Sequence, residues 1–542
     1  MLALADILDG LARGGVFASL SFVIGGVVWA LWVLRVPWER PPSPATGRCL
    51  TLVAAGGVAL AVGQVLLLAL KARVLTESLG RNALGDFAAT THFHAAAARV
   101  LLALAVAGAA VWLRRRPDGR RGWLLLAALT GLLAASGAWL THASGRLENR
   151  AMLMTLTAAH QATAAIWVGG LPQLGGVWRL TGRHGEIDAR WREWVARFSR
   201  LALVSVVMLI VMALPLTWAY TGSLGGLIGT GYGSLILTKV MLLVVALLLA
   251  AANFRVARLA REPGRGALRT RLPHLAEAEA IIAIALIFTA TALSAQPPPA
   301  DQSPAQQATV GEVVEVFRPK VPSLRTPSVE AMRRERTVAR EGEERTREAY
   351  LWSNFSHNVA GLILLGMSVV ALGGRVGRHD WQRHWPLGFV LVAGFIFLRA
   401  AANEGTWPFG TTPLGQLQAE GLQHRLAAVL VLALGALEWR ARARHGPAAR
   451  LPYIFPILAA AGAVLLLTHS HSAFQLKSGF LVQVTHTTMG ALAAVLAAAR
   501  WLELRLARPA GRLAGAAADV AMLAIALILV FYREANVVIP PE

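Results

Sequence analysis

Residues 201–220 read LALVSVVMLIVMALPLTWAY, twenty positions without a charged side chain. A helix of about 20 apolar residues crosses the roughly 30 Å of hydrocarbon in a bilayer, because each residue advances it by about 1.5 Å. Similar apolar blocks recur along the chain, separated by short arginine-rich stretches. The sequence therefore predicts an all-α polytopic integral membrane protein with about fourteen transmembrane helices. The predicted spans lie near residues 14–34, 51–70, 93–113, 122–142, 152–175, 200–220, 234–254, 275–295, 352–373, 385–401, 424–439, 452–469, 479–499 and 515–532.

The overall composition excludes a water-soluble protein and narrows the metal chemistry. Hydrophobic residues make up 56% of the 542 positions and charged residues only 15%, which is far from the balance of a soluble domain. With Cys49 as the single cysteine, the chain can form no internal disulfide, no CxxC metal clamp and no iron–sulfur cluster of its own. Any metal ligands must therefore come from histidine, methionine or carboxylate.

The net charge of +22 reflects membrane topology rather than nucleic-acid binding. Seven alternate loops carry 31 of the 52 basic residues, and short loops rich in arginine stay on the cytoplasmic side of a membrane. We therefore predict cytoplasmic arginine loops, both termini on the outer side, a lipid bilayer as the surrounding partner and no nucleic-acid partner. Asp6 and Asp9 replace the basic start of a signal peptide, so we expect the first span to be retained.

One long hydrophilic interruption divides the predicted spans into two groups. It opens with the Pro/Gln-rich QPPPADQSPAQQ, residues 296–307, which is typical of a flexible linker, and it continues into a mixed-charge run that predicts a solvated helix. The predicted organisation is an N-terminal eight-helix membrane domain over 1–295, an outer-face hydrophilic linker over 296–350 and a C-terminal six-helix membrane domain over 351–542.

Three consecutive predicted helices recur in the two halves, which indicates an internal parallel repeat of a six-helix unit. The run FHAAAARV from Phe93 matches QHRLAAVL from Gln423, LTHASGRL matches LTHSHSAF, and TLTAAHQAT matches VQVTHTTMG. Each repeat thus brings three imidazoles near the same outer level of the membrane. The equivalent histidines are His94 and His424, His142 and His469, and His160 and His486.

These repeated histidines are predicted metal ligands, because ionisable side chains at membrane depth mark functional sites by default. A single one of them fits a structural hydrogen bond equally well, whereas three in register, twice over, favour ligation. Imidazole is a common ligand of copper, zinc, nickel and haem iron. Of these, copper fits the available ligand types best, because methionine thioethers can add the soft sulfur ligands that Cu(I) prefers. The predicted ligands at the outer face are His92, His94, His142, His160, His357, His424, His469, His471, His486 and Met152.

No signature of hydrolytic or nucleotide-binding chemistry is present. The sequence has no phosphate loop ending in GK[ST], no HExxH and no GxSxG. We therefore predict that the protein is not an enzyme and not an ATP-driven pump.

The helix carrying His160 continues as HQATAAIWVGGLPQLGGVW, in which Trp167, Gly169, Gly170 and Leu171 form a W-x-G-G-L turn. It resembles the transmembrane copper resistance protein D (CopD) family, whose members carry a comparable histidine before this turn. The run ARFSRLALVSVVMLIVMALPLTWAYTG is similar to the start of the family's core domain. Residues 351–506 resemble the extended C-terminal half of larger members, through SHNVAG, RHWPL, LQHRL, EWR, LTHSHS and RWLELRL.

This resemblance implies copper transport or copper handling at the bacterial inner (cytoplasmic) membrane, beside a periplasmic copper-binding protein that delivers the metal. On that interpretation the outer-face histidines capture copper for import or transfer. Two alternatives stay open: a membrane cytochrome in which the histidines hold haem b, and a non-transporting scaffold that holds copper for insertion into an oxidase.

Overall fold

The computed structural model describes most of the chain as helices joined by short turns. The described residues are 2–36, 43–115, 119–259, 270–303, 306–338, 347–377, 379–413, 417, 419–443, 450–468 and 477–534. Every regular element within these ranges is helical, which confirms the all-α polytopic membrane class.

The helices of the first half are long, and several exceed the thickness of a bilayer. A π-helical turn, Trp29–Leu34, extends the first of them. Two 3₁₀ turns, Gly137–Leu140 and His142–Gly145, follow α5. The bounds are α1 Leu2–Val28, α2 Pro44–Leu79, α3 Leu84–Ala88, α4 Thr91–Arg115, α5 Arg120–Ser136, α6 Arg150–Trp178, α7 Gly185–Thr221, α8 Leu224–Ile228, α9 Gly231–Leu259 and α10 Leu272–Ala295.

The second half begins with two short helices inside the hydrophilic segment and then has six longer ones. The bounds are α11 Val310–Phe317, α12 Val329–Val338, α13 Arg347–Val376, α14 Leu387–Glu404, α15 Ala419–Ala443, α16 Ile454–Leu467, α17 Lys477–Arg505 and α18 Ala510–Val530.

Each of the fourteen predicted spans falls on one of these helices. Among the described residues, eleven helices are long and apolar enough to cross a membrane. The other three are α6, α15 and α16, which are shorter or interrupted by polar side chains. Helices α4 and α15 both have 25 residues, and α6 and α17 both have 29. These lengths agree with the internal repeat; the repeat and the count of fourteen stay predictions.

The chain forms two compact units, and the first comprises Leu8–Tyr220 and Ala246–Ile287. Small residues allow its helices to approach closely, as is usual where lipid provides no hydrophobic driving force between helices. A Cβ atom on Gly57 of α2 would lie only 2.8 Å from the carbonyl oxygen of Ala103 on α4. Large apolar side chains fill the remaining space, among them Trp29, Leu50, Leu60, Leu113, Leu126 and Leu133.

The second unit comprises Met1–Ile7, Thr221–Val245 and Phe288–Glu542. Helix α17 packs between α16 and α18, and α18 also packs against α13. Parts of the hydrophilic segment join this unit. Val316 of α11 packs against Phe480 and Leu481 of α17, and Met332 of α12 is buried with Trp352 of α13. The domain boundaries drawn from the sequence stay a prediction.

Candidate metal site

Two of the predicted ligands, His357 and His486, come together in the second unit. Their ring centroids lie 5.5 Å apart and the rings are perpendicular, at 88°. Tyr532 stacks on His357 with a centroid distance of 4.0 Å and meets His486 edge-on at 6.2 Å. His486 is buried, with 4% of its surface exposed, and His357 is half-buried.

Hydrogen bonds fix the tautomer of both imidazoles. His357 Nδ1 donates to the carbonyl oxygen of Ser353 at 2.8 Å, and His486 Nδ1 donates to that of Val482 at 3.0 Å. A carbonyl oxygen can only accept, so the proton is on Nδ1 and the lone pair is on Nε2 in each ring. Metal-binding histidines usually show this arrangement, because the bond from the second nitrogen orients the ring and raises the basicity of the first.

The spacing of the two rings fits one shared ion. Imidazole nitrogens bind first-row metals at about 2.0 Å, so two imidazoles on one ion have ring centroids roughly 5–6.5 Å apart. The 5.5 Å separation lies within that range. A carboxylate stands close by: Glu534 accepts hydrogen bonds from the Tyr532 hydroxyl at 3.1 Å and from Ser353 Oγ.

The SHNVAG motif places this pair. Asn358 Nδ2 donates to three carbonyl oxygens at the end of α18, including that of Tyr532 at 2.9 Å. The last carbonyls of a helix have no amide four residues further along the same helix, so the Asn358 amide adds hydrogen bonds at this helix end and caps it. Gly361 allows the close approach, because a Cβ atom there would lie 2.5 Å from the backbone nitrogen of Val530. Residues beside His357 thus hold Tyr532 against it.

In the first unit, His160 has the same tautomer. Its Nδ1 donates to the carbonyl oxygen of Leu209 on α7 at 3.2 Å, which leaves the lone pair on Nε2. His142 begins the 3₁₀ turn that packs against α6 and is half-buried. His94 is exposed and lies edge-on to Phe93. In the described parts of the chain, no group of three or more His, Cys, Asp or Glu side chains could hold a metal ion.

The other predicted ligands that the structure describes range from half-buried to exposed. His92 Nε2 accepts a hydrogen bond from Lys71 Nζ at 2.9 Å. Met152 is half exposed, near the start of α6. His424 is half-buried on α15, where the following residue, Arg425, donates to Glu404 Oε2 at 3.0 Å. His469 and His471 lie outside the described residues. The complete ligand set stays a prediction.

The sequence analysis did not predict one buried carboxyl group of the first unit as a functional residue. Glu279 of α10 is 4% exposed and accepts hydrogen bonds from Trp167 Nε1 at 2.8 Å and from Asn253 Nδ2 at 3.0 Å. Trp167 lies seven residues after His160, two helical turns or about 10 Å along the same face of α6. The W-x-G-G-L motif lies within α6 and does not form the predicted turn, and its tryptophan ties this helix to a carboxyl of α10. The signal in the sequence was an acid inside an apolar run, AEAEAIIAIALIF.

The two glycines of that motif allow close helix packing. A Cβ atom on Gly169 would lie 1.8 Å from the carbonyl oxygen of Ser21 on α1, and one on Gly170 would lie 2.1 Å from the ring of Phe198 on α7. Helices α1, α6 and α7 can approach this closely only because both positions lack a side chain.

The EWR and RWLELRL motifs form an ionic network at the opposite end of the second unit from His357. Glu438 accepts from Arg442 at 2.7 Å and from Arg500 at 2.8 Å. Arg500 also donates to Glu503 at 2.6 Å, and Arg375 joins Glu503 to Asp519. Three arginines thus face three carboxylates, so the network carries no net charge, and these motifs have a structural explanation.

Comparison with known proteins gives a family match that begins after the motif around His160. Residues 192–293 match the family described as copper resistance protein D. Over 174 residues, 32% of this chain, the sequence is 31% identical to the copper transport protein CutJ of Bacillus subtilis (strain 168), and the match spans 30% of that relative. No solved structure matches the chain. The part of the chain that includes α9 and most of α7 and α10 is thus similar to the copper resistance protein D family, and the chain matches about a third of the length of its copper-transport relative.

Proposed function

We propose that the protein binds copper at the His357–His486 pair and passes it on as part of copper transport across the bacterial inner membrane. The observation that carries the proposal is the pair itself. Two imidazoles lie 5.5 Å apart, and each is held by an Nδ1 bond to a backbone carbonyl that leaves the lone pair on Nε2. Copper is the cargo in this proposal, and its ligands are neutral nitrogens that suit copper chemistry.

The position of the pair suits capture from outside the cell. Helices α13 and α17 begin, and α18 ends, at the end of the second unit where His357, His486 and Tyr532 meet. The arginine distribution predicts that this end faces the periplasm. A periplasmic copper-binding protein would deliver the metal there, and the exposed His94 belongs to the same predicted outer level. The single cysteine plays no part, because Cys49 is fully buried and donates to the carbonyl oxygen of Gly26.

The polar groups of α6 in the first unit support inward movement. His160 lies in the first half of α6, and the hydrogen bond between Trp167 and Glu279 lies two helical turns further along this helix. A path for a cation needs polar groups at intervals through the hydrocarbon, since an isolated charge there is expensive. We assign His160 and Glu279 to successive stages of an import path in this unit.

Copper titration of the purified protein tests the binding site. Full-length protein in mild detergent is titrated against a competing copper chelator, beside His357→Ala, His486→Ala and the control His379→Ala, whose exposed side chain lies away from the pair. We expect each of the first two substitutions to lower copper affinity by at least about tenfold, because each removes one nitrogen ligand, and we expect the control to match the wild type. Wild-type affinity in both variants would overturn the site.

Copper accumulation in intact cells separates transport from a scaffold role. Cells expressing the wild-type protein should accumulate copper faster than cells expressing the His357→Ala, His486→Ala double variant at equal membrane abundance. A scaffold that only stores copper at the outer face would leave the rate of entry into the cytoplasm unchanged, and that result would overturn transport while leaving copper binding intact.

A further inference from the structure

Within the described part of the first unit, one buried arginine has no carboxylate partner. Arg99 lies on α4 with 2% of its surface exposed, inside one of the candidate membrane spans. Among the described residues, its Nε and Nη2 atoms are buried and have no hydrogen-bond partner, and neither does Oε1 of Gln161 on α6. A guanidinium remains charged in proteins, so this position places a positive charge in a region of low dielectric constant.

Gly137 lies between these two side chains. A Cβ atom at this position would be 2.4 Å from Gln161 Oε1 and 3.1 Å from Arg99 Nη1. The guanidinium of α4 and the amide of α6 therefore approach the same point on the 3₁₀ turn that follows α5. The absence of a side chain at Gly137 keeps this point open to both groups.

Three partly buried arginines of the chain face carboxylates. Arg425 pairs with Glu404 at 3.0 Å, and Arg375 and Arg500 pair with Glu503 at 2.8 and 2.6 Å. A buried ion is tolerated when an opposite charge and hydrogen bonds compensate its desolvation. By this rule Arg99 needs an anion, and the described residues around it provide no carboxylate within ion-pair distance.

The unpartnered edge of the guanidinium indicates the shape of the anion. Nε and Nη2 carry parallel N–H bonds on one side of the planar group, and this edge matches the two oxygens of a carboxylate. The Gln161 side chain adds an amide whose NH₂ group can donate after a half-turn of its terminal torsion, since the two orientations of an amide differ little in shape. The guanidinium edge thus offers two parallel N–H donors to a planar O–C–O unit, and the Gln161 amide lies on the Nη1 side of the same guanidinium.

We propose that Arg99 and Gln161 bind a small monovalent anion of the carboxylate type, such as formate or bicarbonate, inside the first unit. The anion neutralises the guanidinium and links α4 to α6. This site is independent of the copper site at His357 and His486, so copper-free protein is sufficient to test it.

Equilibrium binding of [¹⁴C]formate to copper-free, full-length protein in mild detergent tests the proposal, with unlabelled bicarbonate and chloride as competitors. We expect one equivalent of bound formate, displaced by bicarbonate at similar concentration and by chloride only at a concentration at least about tenfold higher, because a spherical ion cannot use both N–H bonds equally well. Arg99→Gln should abolish binding. The control Arg114→Gln changes an exposed arginine on the same helix and should leave binding unchanged.

Thermal unfolding gives a second readout that does not depend on measuring the ligand. Formate should raise the unfolding temperature of the wild type, because a ligand that binds only the folded state stabilises it. Arg99→Gln should unfold at or above the temperature of the anion-free wild type, since it removes an uncompensated buried charge, and formate should not shift it. Gln161→Leu, which keeps the arginine, should weaken formate binding by about tenfold.

Absence of formate and bicarbonate binding to the wild type would overturn the proposal, as would Arg99→Gln binding formate like the wild type. Chloride competing as well as bicarbonate would overturn the carboxylate class of the ligand.

Discussion

Replacing Gly169 by alanine should separate two helices that now touch through their backbones. The added Cβ would lie 1.8 Å from the carbonyl oxygen of Ser21, 2.6 Å from its carbonyl carbon and 3.1 Å from Cα of Gly25. These are backbone atoms of α1 and cannot rotate away as a side chain can. Since non-bonded atoms rest about 3.5 Å apart, α1 and α6 must separate by roughly 1.5 Å.

The expected loss of stability follows from that displacement. Overpacking a core costs about 1–3 kcal/mol, and a contact with rigid backbone belongs at the upper end. Alanine is about 1 kcal/mol more favourable than glycine inside a helix. The Gly169→Ala variant should therefore be less stable by about 2 kcal/mol.

Gly175 provides a matched control on the same helix, because no atom lies within 4 Å of a Cβ built there. Gly175→Ala should keep the helix-forming gain and be stabilised by up to about 1 kcal/mol. The measurement is the free energy of unfolding in mixed detergent micelles, with increasing SDS as denaturant. If the free energy of unfolding of Gly169→Ala equals or exceeds that of Gly175→Ala, the close backbone contact between α1 and α6 does not exist.

Three further predictions concern other parts of the chain. Glu438 is 1% exposed between Arg442 and Arg500; Glu438→Gln should lower the free energy of unfolding by about 3 kcal/mol, because Arg442 loses its carboxylate and Arg500 keeps only Glu503, whereas Glu330→Gln, at an exposed pair, should leave it unchanged. Glu279→Gln should stop copper uptake without changing copper affinity at His357 and His486; uptake at the wild-type rate would remove Glu279 from the import path. The hydrogen bond from Lys477 lowers the pKa of Glu312 below its ordinary value. Ionised Glu312 therefore stabilises the docking of α11 above the ordinary pKa of glutamate and loses this effect as the pH falls through the lowered pKa. Hydrogen exchange of α11 should accelerate in that acidic range in the wild type, and Lys477→Met should exchange fast throughout.

The helices themselves could be predicted because the hydrocarbon thickness sets their length. Each predicted apolar run of about twenty residues falls on one helix of the described chain, since that length spans the hydrocarbon. Helix ends were less predictable. The helix over the predicted span 200–220 is α7, Gly185–Thr221, which begins fifteen residues earlier than predicted. It extends in this direction because Trp191 and Trp194 are buried on one face of the stretch before the apolar run. Amphipathic extensions of this kind carry charges and therefore fall outside a search for apolar segments.

The contact between His357 and His486 could not be predicted from a single sequence. His357 and His486 were both predicted ligands, but only His486 belonged to the repeated triplet, and nothing local indicated that the two meet. Their contact depends on how α13 and α17 pack, which involves residues more than a hundred positions apart. Glu279 was missed for the same reason, since its partner Trp167 lies 112 residues away. Close packing at Gly169 and Gly170, by contrast, could be inferred from the small residues alone.

The central claim is that histidine nitrogens in this membrane protein hold copper. Elemental analysis combined with an optical spectrum, on protein purified in mild detergent from copper-supplemented cells, tests it most directly. The proposal predicts bound copper, no Soret band, and loss of one copper equivalent in the His357→Ala, His486→Ala double variant. A Soret band with stoichiometric iron would contradict it and identify the histidines as ligands of haem b, and copper content unchanged in the double variant would contradict the assignment of this pair.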